Sequence, residues 1–138
     1  MERHICSIDR RDPFLQEGWT CLRHRWMRGQ KIDVASLRLL IALKGNTVLE
    51  DSFFTSLYEE VHSLNACVLD HLITHHEDIP ESFGEKPILF SGTQYRDRQG
   101  TCAVPYLYMH SGHAYRAYCH THTTWVGALY VVSSIVPP

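Results

Sequence analysis

Residues 46–76, NTVLEDSFFTSLYEEVHSLNACVLDHLITHH, decide how this chain is read. Leu49, Phe53, Leu57, Val61, Leu64, Val68 and Leu72 recur in steps of three and four. That spacing collects them on one face of a 3.6-residue helix. Phe54, Tyr58 and Ile73 broaden the stripe beyond a coiled-coil seam. The stretch holds neither Gly nor Pro, and Thr47 with Glu50 matches a capping box. One long amphipathic helix lying across a core is the expectation.

Upstream, residues 33–44 predict a first helix. Asp33 stands ready to cap it, Leu37, Leu40 and Ile41 share a face, and Lys44-Gly45 ends it. Residues 19–31, WTCLRHRWMRGQK, fit a strand or a short helix equally, and residues 1–18 read as an N-terminal arm. Downstream of a polar loop with Pro80, Gly84 and Pro87 the pattern changes. β-branched and aromatic residues dominate four segments, 88–95, 101–110, 113–123 and 125–136, which predict strands. The expected fold is α+β: a single domain over residues 1–138, with two N-terminal helices, the second long, packed on a four-stranded antiparallel meander sheet.

Ser111-Gly112 suits a two-residue hairpin turn, and such a turn sets the register. His110 then faces His113, Tyr108 faces Tyr115, Tyr106 faces Ala117 and Val104 faces Cys119. Pro105 has no N–H for the ladder, so the second strand is expected to have one exposed edge there or to bulge.

Composition excludes some classes. The 138 residues are 44% apolar and 20% charged, with a net charge of −2, so no global basic field recruits nucleic acid. Residues 1–31 carry seven of the thirteen Lys and Arg, which makes the N-terminal segment locally basic. Five Cys without a C-x-x-C or a secretory leader point to thiols in a reducing compartment, cytoplasmic or nuclear. No apolar run approaches the ~20 residues of a membrane span. The phosphate-loop, dinucleotide-binding, serine-hydrolase elbow and zinc-protease signatures are all absent.

Three functional readings follow. The leading one is a small non-enzymatic interaction or regulatory protein that binds another protein, or a second copy of itself, through an aromatic sheet face. Tyr106, Tyr108, Tyr115, Arg116 and Tyr118 carry it, since Tyr and Arg bring large contact area with a polar handle. No cofactor belongs to that reading. An alternative is single-stranded nucleic-acid binding by the basic-aromatic cluster Arg23, Arg25, Trp26 and Arg28. A second alternative uses the ten His of the chain. His71 and His75 lie one helical turn apart, and His120-x-His122 points two rings the same way if that segment is a strand. Four imidazoles converging from the helix end and the third strand would suit zinc and metal-assisted hydrolysis. Cys102 and Cys119 fall on one face and are expected as buried thiols. Cys119 and His120 point to opposite faces, which removes them as a nucleophile–base pair.

Overall fold

The computed structural model describes residues 15–25, 37–61 and 63–134. The hairpin at its centre follows the local rules. Strand β6 (Cys102–His110) turns at Ser111 (φ 50°) and Gly112 (φ 79°) into β7 (His113–His120). Positive φ at both turn residues matches the right-handed twist of the flanking strands. The pairs are those expected from the turn: His110 with His113, Tyr108 with Tyr115, Tyr106 with Ala117 and Val104 with Cys119.

The other edge of β6 carries a broken strand. β4 (Ile88–Leu89) and β5 (Thr93–Arg96) both pair with β6, and Phe90-Ser91-Gly92 bulges between them. Pro105 sits opposite the interruption, its carbonyl accepting from the Phe90 amide at 2.9 Å. The ladder is interrupted where a proline has no donor to offer, and the extra residues lie in the facing segment, whereas β6 itself runs on without a bulge.

Beyond this broken strand the sheet divides. β1 (Thr20–His24) runs antiparallel to β5, whereas β9 (Leu129–Ser134) runs parallel to β4 and carries β2 (Leu37–Leu43) antiparallel on its far side. The result is a curled, mixed seven-stranded sheet of order β1-β5-β6-β4-β9-β2, with β7 on the free side of β6. A two-stranded ribbon of β3 (Thr47–Val48) and β8 (Thr124–Trp125) stands apart. The expected meander is therefore wrong beyond its hairpin. Its last strand crosses to the other side of the sheet instead of lying beside β7.

The expected helices are also corrected. Residues 37–43, LRLLIAL, form β2 rather than the end of a helix, and residues 33–36 lie outside the described set. A short apolar run suits either structure locally, and pairing with β9 decides it. The long helix is two short ones, α1 (Asp51–Glu60) and α2 (Ala66–Thr74), followed by a 3₁₀ turn at His76–Asp78. Thr47 belongs to β3, so no capping box forms, and Glu50 caps α1 without a side-chain bond.

The break has a clear cause. Ser63, Leu64 and Asn65 are buried and extended, and they fill the fork between β9 and β1. The Leu64 amide donates to Val132 O at 3.1 Å, the Gly92 amide donates to Leu64 O at 2.9 Å, and Ser63 bridges Ser133. Asn65 then restarts the helix, its side-chain oxygen accepting from the Cys67 and Val68 amides. The apolar stripe is continuous in sequence, but its halves serve different layers. Phe54 and Leu57 of α1 pack with Leu89, Val104, Leu129 and Val131. Val68, Leu69 and Leu72 of α2 pack with Ile88, Phe90, Tyr95, Leu107 and Val132. Alternation along β4, β6 and β9 assigns these sets to opposite sheet faces. No described helix is long and apolar enough to cross a membrane.

Candidate functional site

Strand alternation distributes the five aromatic-face residues over two surfaces. Tyr106, Tyr108 and Tyr115 share one. The Tyr108 and Tyr115 rings stack at 5.2 Å across the hairpin, Tyr106 follows 5.9 Å from Tyr108, and Trp125 of β8 meets Tyr106 edge-on at 5.3 Å. Burial raises the Tyr106 pKa, with Cys119 and Tyr108 adding to it, so its phenol stays a neutral hydrogen-bonding group. Tyr115 remains 41% exposed.

Arg116 and Tyr118 lie on the opposite surface. Trp19 meets Tyr118 edge-on at 5.0 Å, Gln16 Nε2 donates to the Tyr118 hydroxyl at 3.2 Å, and the Arg116 guanidinium lies 5.7 Å from the Tyr118 ring. Both surfaces nevertheless meet at one feature. Among the described strands β7 pairs with β6 alone, with Tyr115 and Arg116 on its two sides.

The basic-aromatic cluster is engaged in packing. Arg25 stacks 4.3 Å over the Tyr58 ring and donates to the Tyr58 carbonyl, and Arg23 approaches the same ring at 5.4 Å. These contacts fasten β1 to α1. Trp26 and Arg28 lie outside the described residues.

The four His of the zinc reading are not brought together. β7 ends at His120, and His122 sits in a following turn at φ 68°, so strand alternation no longer aims the two rings alike. His71 and His75 stack on each other at 4.4 Å, and His71 Nε2 contacts Asp78 Oδ2 at 2.9 Å. His120 Nδ1 contacts Asp97 Oδ2 at 3.0 Å. Among the described residues no three His, Cys, Asp or Glu gather as a ligand set.

Asp97 anchors the β5–β6 turn. Burial pushes its pKa up, but hydrogen bonds from the Thr101 and Gln99 amides and from His120 outweigh that, leaving the carboxyl below its ordinary value.

One polar cluster was not anticipated from the sequence. His24 on β1, Thr93 on β5 and Cys67 in the first turn of α2 meet at the fork of the sheet. His24 Nδ1 lies 2.6 Å from Thr93 Oγ1, and His24 Nε2 lies 3.7 Å from Cys67 Sγ. The Ala66 amide also donates to Thr93 Oγ1 at 2.8 Å. The only sequence signal for it was Asn65, an N-cap residue two positions before a cysteine, hidden inside an apparently continuous helix. No protein-family model, no curated protein and no solved structure matches this chain.

Proposed function

We propose that this chain is an interaction protein that receives an extended segment of a protein partner along the outer edge of β7. The observation that carries this reading is the stacked Tyr108–Tyr115 pair beside a strand edge that no other described strand pairs with. Strand addition supplies main-chain hydrogen bonds, and alternate side chains of the incoming segment read the two surfaces. One side presents Tyr115 backed by Tyr108 and Tyr106. The other side carries Arg116 and Tyr118, and Tyr118 is already engaged by Trp19 and Gln16. A reducing compartment, cytoplasmic or nuclear, accords with it, because Cys102 and Cys119 share a sheet face as buried thiols. Nucleic-acid binding has less support, since Arg23 and Arg25 are spent on Tyr58.

Photo-cross-linking tests the proposal. A benzophenone side chain replaces Tyr115 in one variant and exposed Gln99, at the far end of β6, in another. Discrete protein adducts from position 115 and none from 99 are expected, with light scattering of the purified chain separating self-association from a different partner. The same adduct pattern from both positions overturns the reading.

A further inference from the structure

We infer that the groove between the β2–β3 connection and the first turns of α1 is a binding site for a small primary amine with an apolar body, separate from the β7 edge.

Its walls belong to fixed elements. Leu49 lies deepest, only 1% exposed, with its amide donating to Thr123 O at 2.9 Å and its carbonyl accepting from the His122 amide at 2.7 Å. The pairing of Thr47 with Trp125 and of Val48 with Thr124 holds one wall. It leaves Val48 50% exposed, an apolar side chain in the groove that the fold does not cover. Leu43 at the end of β2 and Phe53 in the first turn of α1 complete the apolar lining. The groove holds about 580 Å³, within the ~300–1,000 Å³ of small-ligand sites. Because backbone bonds already fix its walls, an apolar body can enter with little ordering cost.

The polar groups decide the charge of the ligand. Glu50 lines the groove and stands at the N-cap of α1, yet its side chain makes no cap bond, so the helix does not use its carboxylate. Ser56 lines the groove further along α1, and its hydroxyl donates to Glu60 Oε2 at 3.0 Å, which brings a second carboxylate to the rim. Thr47 and Ser52 add two hydroxyls. Among the described residues that line the groove there is no Lys or Arg, and Lys44 follows Leu43 in the chain without lining it. The start of a helix favours an anion, but Glu50 and Asp51 already place two negative charges there. The unanswered charge at the groove is therefore negative. An ammonium group answers it, with three donors for the Glu50 carboxylate and the neighbouring hydroxyls, while its apolar body covers Val48 and Phe53.

Titration of the isotope-labelled full chain with octylamine, octanol and octanoate at about pH 7, read by amide chemical shifts, provides the test. Octylamine is expected to saturate with a Kd on the order of 1 mM, the scale for a ligand of about nine heavy atoms, and to move the amides of Val48, Ser52 and Ser56. Octanol should bind about fivefold more weakly, and octanoate about tenfold or more, because an exposed charge pair contributes up to about a factor of five. Glu50→Gln breaks no side-chain cap bond and should weaken octylamine about fivefold while leaving octanol unchanged. Val48→Ser should weaken octylamine and octanol alike. Octanol or octanoate binding as tightly as octylamine overturns the choice of an amine, as does an octylamine affinity unchanged in Glu50→Gln. The absence of a saturable shift, or shifts confined to residues away from the groove, overturns the site.

Discussion

The Gly92 amide donates to the Leu64 carbonyl at 2.9 Å, and this bond joins the interhelical segment to the fork of the sheet. A Cβ at position 92 would lie 2.5 Å from Ser63 O and 2.7 Å from Leu64 O, both backbone atoms. Neither can swing aside as a long side chain would. Gly92→Ala is therefore expected to destabilise the fold by about 2–3 kcal/mol, in the upper range for overpacking. Urea denaturation followed by tryptophan fluorescence measures it, and an unchanged midpoint would contradict the tight approach.

Asn65 is fully buried and makes bonds from both ends of its amide. Asn65→Ala should cost about 1–2 kcal/mol by removing the cap of α2. Asn65→Asp keeps the acceptor for the Cys67 and Val68 amides but loses the donor to Arg25 O, so its cost should differ from that of the alanine variant. Equal losses in the two variants would show that capping is not the main contribution.

The Asp97 carboxyl is held below its ordinary value, chiefly by the Thr101 and Gln99 amides and then by His120, against the opposing effect of burial. A depressed carboxyl contributes stability that is present above the unfolded-state pKa of about 3.9 and is lost as pH falls through the lower folded value. The unfolding midpoint should drop on acidification below about pH 4. Asp97→Asn should flatten that part of the profile, and an Asp97→Asn profile parallel to wild type would exclude the turn as its source.

Burial raises the Cys102 thiol to about 11, with Asp51 adding to the effect, and burial raises Cys119 further still. Native protein at pH 8 should alkylate at Cys21 while Cys102 and Cys119 stay protected until the chain unfolds. Stability owed to these neutral thiols is complete below the unfolded-state pKa of about 8.5 and is lost as pH climbs toward the folded values. Replacing both by Ala should reduce the stability loss between pH 9 and 11. A mass-spectrometric alkylation map and alkaline unfolding curves check the two parts.

Tyr115 is exposed, and its stacking with Tyr108 is a cross-strand contact worth about 0.5–1 kcal/mol. Tyr115→Ala should lower stability by no more than about 1 kcal/mol while abolishing cross-links from a benzophenone placed at Tyr108. Retained cross-linking in a folded Tyr115→Ala chain would separate the stacked pair from partner binding.

The β6–β7 hairpin was legible because its information is local. A two-residue turn and a period of two set every pair from His110–His113 to Val104–Cys119. Residues 37–43 were not legible in the same way, because Leu-rich runs satisfy a helix and a strand alike until β9 supplies hydrogen bonds. The site residues follow the same division. Tyr108 with Tyr115 comes from adjacent strands, whereas His24 and Cys67 are 43 positions apart and meet only through β1 and the start of α2.

By itself the sequence of residues 46–76 determined an apolar stripe, its period and its helical preference. It could not specify that the stripe would be cut at Ser63–Asn65, because the forces that cut it come from elsewhere. Val132 and Gly92 offer that segment backbone partners inside the sheet, and the two halves of the stripe bury against opposite faces. A single helix would leave one face of the sheet uncovered and the fork between β1 and β9 unfilled. Hydrophobic period is a property of neighbours along the chain, whereas which surface each turn covers, and where a helix must yield to a buried extended strand, depend on contacts that exist only once the sheet has formed.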